Sequence, residues 1–370
     1  MADYTKNFSL NLRNLRIRKN LTQKELADLL QYSEKTVSKW ECGACVPDID
    51  VLFELANIFK VSIENLFSDS NDYFLGIDGG GTKTALALSD ADGNIIRTLK
   101  TEGCNPVDIG IDRVKAILKD AIYEICKDIS LSSVYCFAGI AGGTSADMQP
   151  KIKEFFEEFG FKAFANDSDN KNIIASGLGD KDGMTVIMGT GVCVYTQINK
   201  QHNRIAGWGY FIDNGGSGYN LGRDALNAYF AAYDKTGEET LLTEEIDKLY
   251  PGGPQKLIGH IYSRGKKVVA SFAPAVFSAL ERGDKIAEAI LKQNTDEVVK
   301  FIETAAKGFG DGKIPVVLAG GITSRKCVVD NIKKSLTNVQ RYEIRPLDKE
   351  PVYGAVNLAF ELKKEVKDHE

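Results

Sequence analysis

The stretch YFLGIDGGGTKTALALSDADG, residues 73–93, decides how the larger part of this chain folds. An apolar segment ends at Asp78 and leads into three consecutive glycines, a combination that commonly holds phosphate. A P-loop needs glycine directly before its lysine, whereas Thr82 precedes Lys83 here. A dinucleotide fingerprint needs a helix after its glycines, but TKTALALSD alternates as a strand does. The pattern therefore predicts a glycine turn between two antiparallel strands.

This turn is a predicted anion site, because glycines without side chains let a phosphate approach the backbone N–H groups closely. The residues predicted to bind phosphate here are Gly79, Gly80, Gly81, Thr82 and Lys83. An aspartate beside phosphate groups makes sense when it holds Mg²⁺, a cation that takes oxygen ligands and keeps several waters. We therefore predict that Mg²⁺ is a cofactor and that Asp78 is the residue that holds it. The alternative is a plain hairpin turn without a ligand.

Two later stretches also contain an apolar strand that ends in glycines. MTVIMGTGVCVYTQI, residues 184–198, is an apolar strand that enters a second glycine turn and continues as another strand. Its predicted phosphate-binding residues are Gly189, Thr190 and Gly191. IPVVLAGGITSRKCVVDNIKKSL, residues 314–336, predicts a buried strand followed by a helix, and Gly320 and Gly321 would let an adenine ring or a ribose pack on the backbone. The pair of turns indicates two related halves, each with a phosphate-binding hairpin.

The first seventy residues predict a different, all-α domain of five short helices. Thr22 and Glu25 have the spacing of a capping box at the start of the second helix. The apolar stripe of that helix is predicted to be Leu26, Leu29 and Leu30. Ser33 is the natural cap of the third helix, in which Val37 and Trp40 are expected to face inward. Two short helices joined by so tight a turn form a helix-turn-helix, whose second helix can reach base edges in a major groove.

LRNLRIRKNLTQKELADLLQYSEKTVSKWECG, followed by PDIDVLFELANIFKVSIENLF, resembles the Cro/repressor-type (XRE family) DNA-binding domain. The alternative is a helical module that binds only protein. Arg13, Arg16 and Arg18 are predicted to neutralise DNA phosphates. The residues predicted to reach bases or the start of the groove are Gln23, Glu34, Lys35, Thr36, Ser38 and Lys39. The resemblance implies a DNA operator as partner and a homodimer that binds paired half-sites.

The composition is compatible with a DNA-binding domain joined to a larger globular part. The chain has 370 residues, a net charge of −5 and 43% hydrophobic residues, which is normal for a globular protein. The first forty residues hold eight Lys/Arg against four Asp/Glu, so a local anion-binding face is expected. No apolar run reaches the ~18 residues of a membrane span, and the seven scattered cysteines suit free thiols. We expect a cytoplasmic protein, and a turn rather than a metal site at the CxxC of Cys42 and Cys45.

Residues 73–362 resemble the N-acetylglucosamine kinase branch and the BadF/BadG-type ATPases of the actin-like ATPase superfamily. The motifs that carry the resemblance are GIDGGGTKT, GCNPVDIG, FAGIAGG, NDSDN, MGTG, GWGYFIDNGGSGYNLGR, VVLAGG and PVYGAVNLA. The resemblance implies ATP as the nucleotide and an amino sugar as the substrate. An iron–sulfur activator of the BadF type is disfavoured, since the cysteines of this part show no grouping that suits a cluster.

The predicted fold is therefore an all-α helix-turn-helix domain joined to duplicated α/β domains of the actin-like ATPase (ribonuclease H-like) class. The expected boundaries are residues 1–67 for the DNA-binding domain and 68–72 for a polar linker. The two halves of the ATPase are expected at residues 73–185 and 186–370.

The family pattern also implies residue roles at the sugar side. Asp167, after an apolar strand, is implied as the base that takes a proton from a sugar hydroxyl, with a helix cap as the alternative role. Asn105 is implied to hydrogen-bond sugar hydroxyls. The loop residues implied to line the sugar site are Gly207, Trp208, Gly209 and Asn214, although core packing is the alternative for the tryptophan.

One stretch departs from the family pattern. Where the family has Gly-Asp-Glu-Gly-Ser, this chain has Asp213-Asn214-Gly215-Gly216-Ser217. An amide loses the charge-assisted hydrogen bonds of a carboxylate, which are roughly twice as strong as neutral ones. Asp213 is a candidate substitute from one position earlier, but its side chain would start from a different direction. Two hypotheses remain open: a sugar kinase fused to a DNA-binding regulator, and a regulator whose kinase-like part senses sugar or nucleotide with weak or no catalysis.

Overall fold

The computed structural model describes residues 4–19, 21–67, 72–127, 129–145 and 147–368, without the side chains of residues 18, 367 and 368. Of the predicted linker, residues 68–71 lie outside the described part. The chain forms two compact units. One includes the residues up to Ala175 and those from Pro351 onward, and the other is Ser176–Glu350. No helix among the described residues is long and apolar enough to cross a membrane.

The N-terminal domain is all-α, as predicted. Its helices are α1 (Tyr4–Arg18), α2 (Gln23–Leu29), α3 (Glu34–Glu41), α4 (Ile49–Phe59) and α5 (Ile63–Phe67). The capping box is confirmed, since Thr22 accepts from Glu25 N and the Glu25 carboxylate accepts from Thr22 N. Ser33 caps α3 by accepting from Thr36 N at 3.2 Å.

The core of this domain is built from the predicted inward faces, with one exception. Val37 and Trp40 are buried against the other helices, as expected. Leu26 and Leu30 are buried as well, but the third member of the predicted stripe, Leu29, is 58% exposed. The α2 stripe is therefore narrower than predicted, because the helix is short and only its 26/30 edge meets the core.

The first sheet confirms the predicted hairpin. Its strands are β1 (Tyr73–Gly79), β2 (Lys83–Ser89), β3 (Ile95–Glu102), β4 (Val134–Ile140) and β5 (Ala163–Asp167), in the order β3-β2-β1-β4-β5. β1 and β2 are antiparallel, whereas β1, β4 and β5 run parallel. The connecting helices are α6 (Pro106–Ile109), α7 (Ile111–Ile125), α8 (Met148–Glu157) and α9 (Asp169–Gly177).

The second sheet has the same plan. Its strands are β6 (Gly183–Met188), β7 (Val192–Ile198), β8 (Gln201–Ala206), β9 (Ile314–Ala319) and β10 (Tyr342–Pro346), in the order β10-β9-β6-β7-β8. The β6–β7 pair is antiparallel and the β6–β9 and β9–β10 pairs are parallel. The helices of this unit are α10 (Gly218–Tyr233), α11 (Leu242–Leu249), α12 (Gly253–Arg264), α13 (Lys266–Ala270), α14 (Ala273–Glu281), α15 (Lys285–Ala306) and α16 (Lys326–Ser335).

The last helix, α17 (Pro351–Asp368), returns to the first sheet. The rings of Phe74 and Phe360 stack at 3.6 Å, and a Cβ at Gly76 would lie 2.4 Å from the Val356 nitrogen. The structure therefore differs from the predicted halves in two ways. The boundary at 185/186 falls inside β6, and the C-terminal residues belong to the first unit.

Candidate functional site

The first glycine turn is fixed by a neighbouring segment of the chain. Gly80 N donates to Lys83 O at 3.0 Å, and Cys104 N donates to Gly80 O at the same distance. A Cβ at Gly103 would lie 2.6 Å from the Gly81 carbonyl, so only glycine fits at this close approach. Thr82 and Lys83 are exposed at the tip of the turn. The predicted phosphate-binding residues of the first unit thus share one backbone turn.

The ends of three parallel strands line up beside this turn. Asp78 of β1 pairs in register with Gly139 of β4, which pairs in turn with Asp167 of β5. Carboxyl ends of parallel strands are where α/β sheets place their ligands. Two predicted carboxylates, one for Mg²⁺ and one for proton abstraction, are therefore brought to one edge of the first sheet.

Asp167 is the last residue of β5 and lies outside helix α9. Its Oδ1 accepts from Ser168 N at 2.7 Å, and its side chain is 36% exposed. Lys171 Nζ lies 3.9 Å from the other carboxylate oxygen. The Asp167 carboxylate therefore accepts from the residue that precedes α9 and remains accessible to solvent.

A second acid at this edge was missed as a site residue. Burial, and after it the neighbouring Asp78 carboxylate, raises the pKa of Asp169 to about 6. Strongly perturbed carboxyl groups of this kind cluster at functional sites. The sequence signal for this residue is faint, because Asp169 in NDSDN suits a helix cap equally well.

Asn105, the implied contact of sugar hydroxyls, is a helix cap. Its Oδ1 accepts from Val107 N at 2.9 Å at the start of α6. A Cβ at Gly81 would lie 4.0 Å from Asn105 Nδ2, and a Cβ at Gly142 would lie 2.5 Å from its Oδ1. Asn105 therefore lies beside the first glycine turn, with its oxygen already committed to the helix start.

The second glycine turn is held by a helix start. Gly218 N, at the beginning of α10, donates to Gly189 O at 2.7 Å, and Tyr219 N donates to Thr190 O at 3.3 Å. Thr190 and Gly191 remain exposed at the tip. The residue before this turn is the buried Met188, in the position where the first turn has Asp78.

An apolar pocket of about 360 Å³ adjoins the second turn. Its lining includes Thr190, Ala273, Pro274, Phe277, Gly321 and Arg325. Pockets of roughly 300–1,000 Å³ with mostly apolar walls are typical of small-molecule sites. Gly320 has φ +98°, and a Cβ there would lie 2.4 Å from Met188 O, so the β9 end can approach the turn only with glycine.

The pocket walls from α14 were not predicted. Phe277 forms one side, and the Arg325 guanidinium lies 5.3 Å from its ring centroid. Sequence reasoning had selected only the glycines of β9 and of the turn. The APAVF segment resembles ordinary helix core, and nothing in its pattern distinguishes a pocket wall from a buried face.

The predicted sugar-binding loop exposes its tryptophan. Trp208 is 69% exposed, which contradicts the alternative of core packing, and the Arg204 guanidinium lies 4.5 Å from its ring centroid. The backbone enters the loop with positive φ at Ala206, Gly207 and Gly209, so this turn needs its glycines.

Asp213, the candidate substitute for the family acid, is turned toward its own loop. Asp213 is only 9% exposed, and its Oδ2 accepts from Gly209 N at 2.9 Å. It braces the loop from inside, while Asn214 is exposed. The absence of a side chain at Gly215 also has a packing reason. A Cβ there would lie 2.9 Å from Glu297 Cγ of α15.

Buried amides hold this loop on its helices. Asn220 Nδ2 donates to Asp213 O at 2.9 Å. Asn294 Oδ1 accepts from Gly216 N at 3.0 Å, and its Nδ2 donates to Asp224 at 2.9 Å. Both asparagines are at most 1% exposed. The loop is therefore a braced structure that presents Trp208 and Asn214 outward.

The helix-turn-helix presents most of the predicted DNA-contacting residues. Glu34, Lys35, Ser38 and Lys39 are exposed on α3, Thr36 is half-buried, and Arg13 is exposed on α1. Cys42 and Cys45, after α3, are exposed free thiols. The side chain of Arg18 lies outside the described part.

Two members of the predicted DNA-binding set need correction. Arg16 forms a two-pronged ion pair with the nearly buried Glu41, at 2.5 and 2.9 Å, and also donates to Leu21 O. Glu41 raises the pKa of Arg16 by this hydrogen bond. The guanidinium is thus held by contacts within the domain. Gln23 Nε2 donates to the same carboxylate at 2.8 Å, which ties this amide to the domain interior.

Comparisons with known proteins give the family. Residues 75–359 match the BadF/BadG/BcrA/BcrD ATPase family, and residues 12–66 match a helix-turn-helix family. The chain is 30% identical over 302 residues to the N-acetylmuramic acid/N-acetylglucosamine kinase of Clostridium acetobutylicum, covering 78% of this chain and 98% of that protein. It is 28% identical over 321 residues to the N-acetyl-D-glucosamine kinase of Dictyostelium discoideum, covering 80% of this chain and 100% of that protein.

A solved structure agrees in fold. A candidate N-acetylglucosamine kinase from Chromobacterium violaceum superposes with a TM-score of 0.67 at 22% identity, over 78% of this chain and 99% of that one. The matches define a class of protein in which a helix-turn-helix domain is joined to an ATPase-family domain that is similar to amino-sugar kinases. Within that class, the chain belongs to the BadF/BadG/BcrA/BcrD ATPase family.

Proposed function

We propose that this protein is an ATP-dependent kinase of N-acetylglucosamine or a related amino sugar, joined to a DNA-binding regulatory domain. The observation that carries the proposal is the alignment of Asp78, Gly139 and Asp167 at one sheet edge, beside a glycine turn. Phosphoryl transfer needs positioning, neutralisation of charge and a base near the attacking hydroxyl. The first unit offers residues suited to the last two tasks.

In the proposed reaction, Asp167 accepts the proton of a sugar hydroxyl as its oxygen attacks the γ-phosphorus of ATP. The bond from that phosphorus to the β,γ-bridging oxygen breaks, and ADP leaves. The partial exposure of Asp167 supports this role, since a base must be accessible to its substrate. Thr82 and the N–H groups of the first glycine turn are proposed to contact phosphate.

Mg²⁺ fits the donor set at Asp78. The groups at this edge are the carboxylates of Asp78 and Asp167, and Mg²⁺ takes oxygen ligands. Mg²⁺ keeps several of its waters. One or two carboxylates, together with substrate phosphates, are therefore enough to hold it. When bound, the ion neutralises phosphate charge. Asp78 is proposed to hold it, with Asp169 as the neighbouring acid.

The apolar pocket supports a nucleoside site in the second unit. Its position beside Thr190 and Gly191 puts a phosphate-binding turn next to walls that suit a base and ribose. Gly321, one of the predicted adenosine-contacting glycines, lines the pocket. The loop of Trp208 and Asn214 is proposed to bind the sugar, through ring stacking and amide hydrogen bonds.

A regulator that senses sugar or nucleotide with little catalysis is the second candidate. The specific observation in its favour is the exposed Asn214 beside a glycine, where the family pattern has two acids. One experiment separates the two. The protein is incubated with ATP, Mg²⁺ and a panel of hexosamines, and ADP release is compared with that of an Asp167→Asn variant. Sugar-dependent release above the variant supports the kinase, and binding of sugar without release supports the sensor.

We further propose that the N-terminal domain binds an operator as a homodimer. Lys35 and Lys39 are exposed on α3, and Arg13 is exposed on α1. A gel shift against the upstream DNA of its own gene tests the proposal. We expect a shift that weakens as salt rises, because phosphate contacts release counterions. Absence of a shift at low salt would contradict DNA binding.

A further inference from the structure

Asn172 is a buried amide at the first sheet edge that no step above uses. It lies on α9 with 0% of its surface exposed. Its Nδ2 lies 2.8 Å from Asp78 Oδ1, 3.2 Å from Ile77 O and 3.3 Å from Gly139 O. An amide nitrogen carries only two hydrogens, so three acceptors share them, and the shortest contact is to the carboxylate.

The neighbouring strand is shaped to admit this side chain. A Cβ at Gly139 would lie 2.3 Å from Asn172 Oδ1, so any larger residue in β4 would exclude the amide. Asn172 Oδ1 is itself without a hydrogen-bond partner among the described residues. An apolar side chain would avoid this unsatisfied buried atom, so stability alone does not explain an asparagine here.

We propose that Asn172 is a positioning residue for the metal-binding carboxylate. The inference rests on the proposed kinase function. Its N–H donates to Asp78 and fixes that carboxylate in one orientation. Hydrogen bonds to outer-shell groups orient ligands and tune metal binding in this way. Because Asn172 lies on the helix that follows Asp167, it also ties β1 to the segment of the base.

The test measures metal-dependent nucleotide binding rather than turnover. Calorimetry gives the affinity for a non-hydrolysable ATP analogue with Mg²⁺ and without it, in the full-length protein. Asn172→Leu keeps the side-chain size and removes the donor. We expect the gain in affinity from Mg²⁺ to fall by about 10- to 100-fold, with metal-free affinity unchanged. The matched control is Gln197→Leu, which removes a buried amide that donates to Gly179 O and Lys181 O in the second unit and should keep the wild-type Mg²⁺ gain.

Asn172→Asp guards against a variant that fails to fold. It keeps the shape but places a third carboxyl group beside Asp78 and Asp169, so Mg²⁺ should raise its thermal melting temperature more than that of the wild type. Wild-type Mg²⁺ dependence in Asn172→Leu, or equal Mg²⁺ effects on melting in Asn172→Asp and the wild type, would overturn the inference alone. A wild-type protein that binds no nucleotide with Mg²⁺ would overturn the proposed kinase function as well.

Discussion

The two sheets share one strand order, yet their strand ends carry opposite chemistry. In the first sheet, the ends of β1 and β5 are Asp78-Gly79 and Asp167. The corresponding strands of the second sheet end at Met188 and Pro346, which carry no charge. The first copy, meaning the unit with the first sheet, carries the acids that are proposed to hold the metal and accept the proton. The second copy, meaning the unit with the second sheet, has an apolar pocket and a braced loop.

The largest expected effect comes from removing Asp167, the proposed base in the first copy. Asp167→Asn should lower kcat by about 10²- to 10⁴-fold, since a positioned general base contributes on that scale. KM for ATP should change little, because the proposed nucleoside pocket belongs to the second copy. Steady-state kinetics measure both parameters. Asp180→Asn, a change at an exposed aspartate, is the control. A kcat within threefold of wild type would remove Asp167 from the proposed mechanism.

A smaller effect is expected at the pocket of the second copy. Phe277→Ala removes one wall and should raise KM for ATP by about tenfold, since an aromatic contact contributes about 0.5–1.5 kcal/mol beyond its burial. KM for the sugar should stay within twofold. Tyr262→Ala, at an 84% exposed aromatic residue of the same unit, controls for general effects. Equal KM for ATP in Phe277→Ala and wild type would place the nucleoside elsewhere.

The sugar loop gives the next test, again in steady-state kinetics. Trp208→Ala should raise KM for the amino sugar several-fold and leave KM for ATP unchanged, because its exposed ring is proposed to stack on the sugar. The fold should be unaffected, since the side chain is exposed. Tyr233→Ala provides a control at another exposed aromatic residue. A shift in both KM values together would indicate a general disturbance instead of a sugar contact.

The smallest effect concerns the stability of the first copy. Asp72 accepts from Lys162 at 2.6 Å and lies 2.7 Å from Lys363 of α17. Burial works to raise the pKa of Asp72, but the two lysines outweigh it and hold the pKa below its ordinary value. A lowered folded-state pKa stabilises the fold above the unfolded pKa, and this contribution is lost as pH falls through the folded pKa.

Asp72→Asn should therefore reduce the free energy of unfolding at pH 7 by about 1–2 kcal/mol, the scale of charge-assisted hydrogen bonds. The difference from wild type should begin to shrink as the pH falls below the unfolded-state pKa of roughly 3.9, so it should be smaller at pH 3 than at pH 7. Urea unfolding at the two pH values measures it. The exposed Asp112, changed to asparagine, is the control. A difference that is independent of pH would assign the loss to something other than the charge.

Local patterns predicted much of this molecule. The glycine runs, the strand alternation around them and the capping signals of α2 and α3 are set by neighbouring residues, and all are confirmed. Predictions that depend on contacts between distant parts of the chain were less accurate. The return of α17 to the first sheet requires knowledge of tertiary packing, which no boundary signal near residue 186 contains.

The candidate site shows the same division. Residues selected by a motif, such as Asp78 and Asp167, lie together at one sheet edge. Arg16 was mistaken for a phosphate contact because its partner, Glu41, is 25 residues away in sequence. Asn172 and Phe277 were missed because burial of an amide, or exposure of a helix face to a pocket, follows from the fold alone.

Direct detection of the product tests the kinase proposal at its centre. Wild-type protein and Asp167→Asn are each incubated with ATP, Mg²⁺ and N-acetylglucosamine or a related amino sugar, and the sugar is analysed by mass spectrometry. We predict that the wild type adds one phosphoryl group to at least one of these sugars and that the variant adds almost none in the same time. Unmodified sugars throughout the panel, from a wild type that binds nucleotide, would contradict the proposal and leave the sensing regulator as the function.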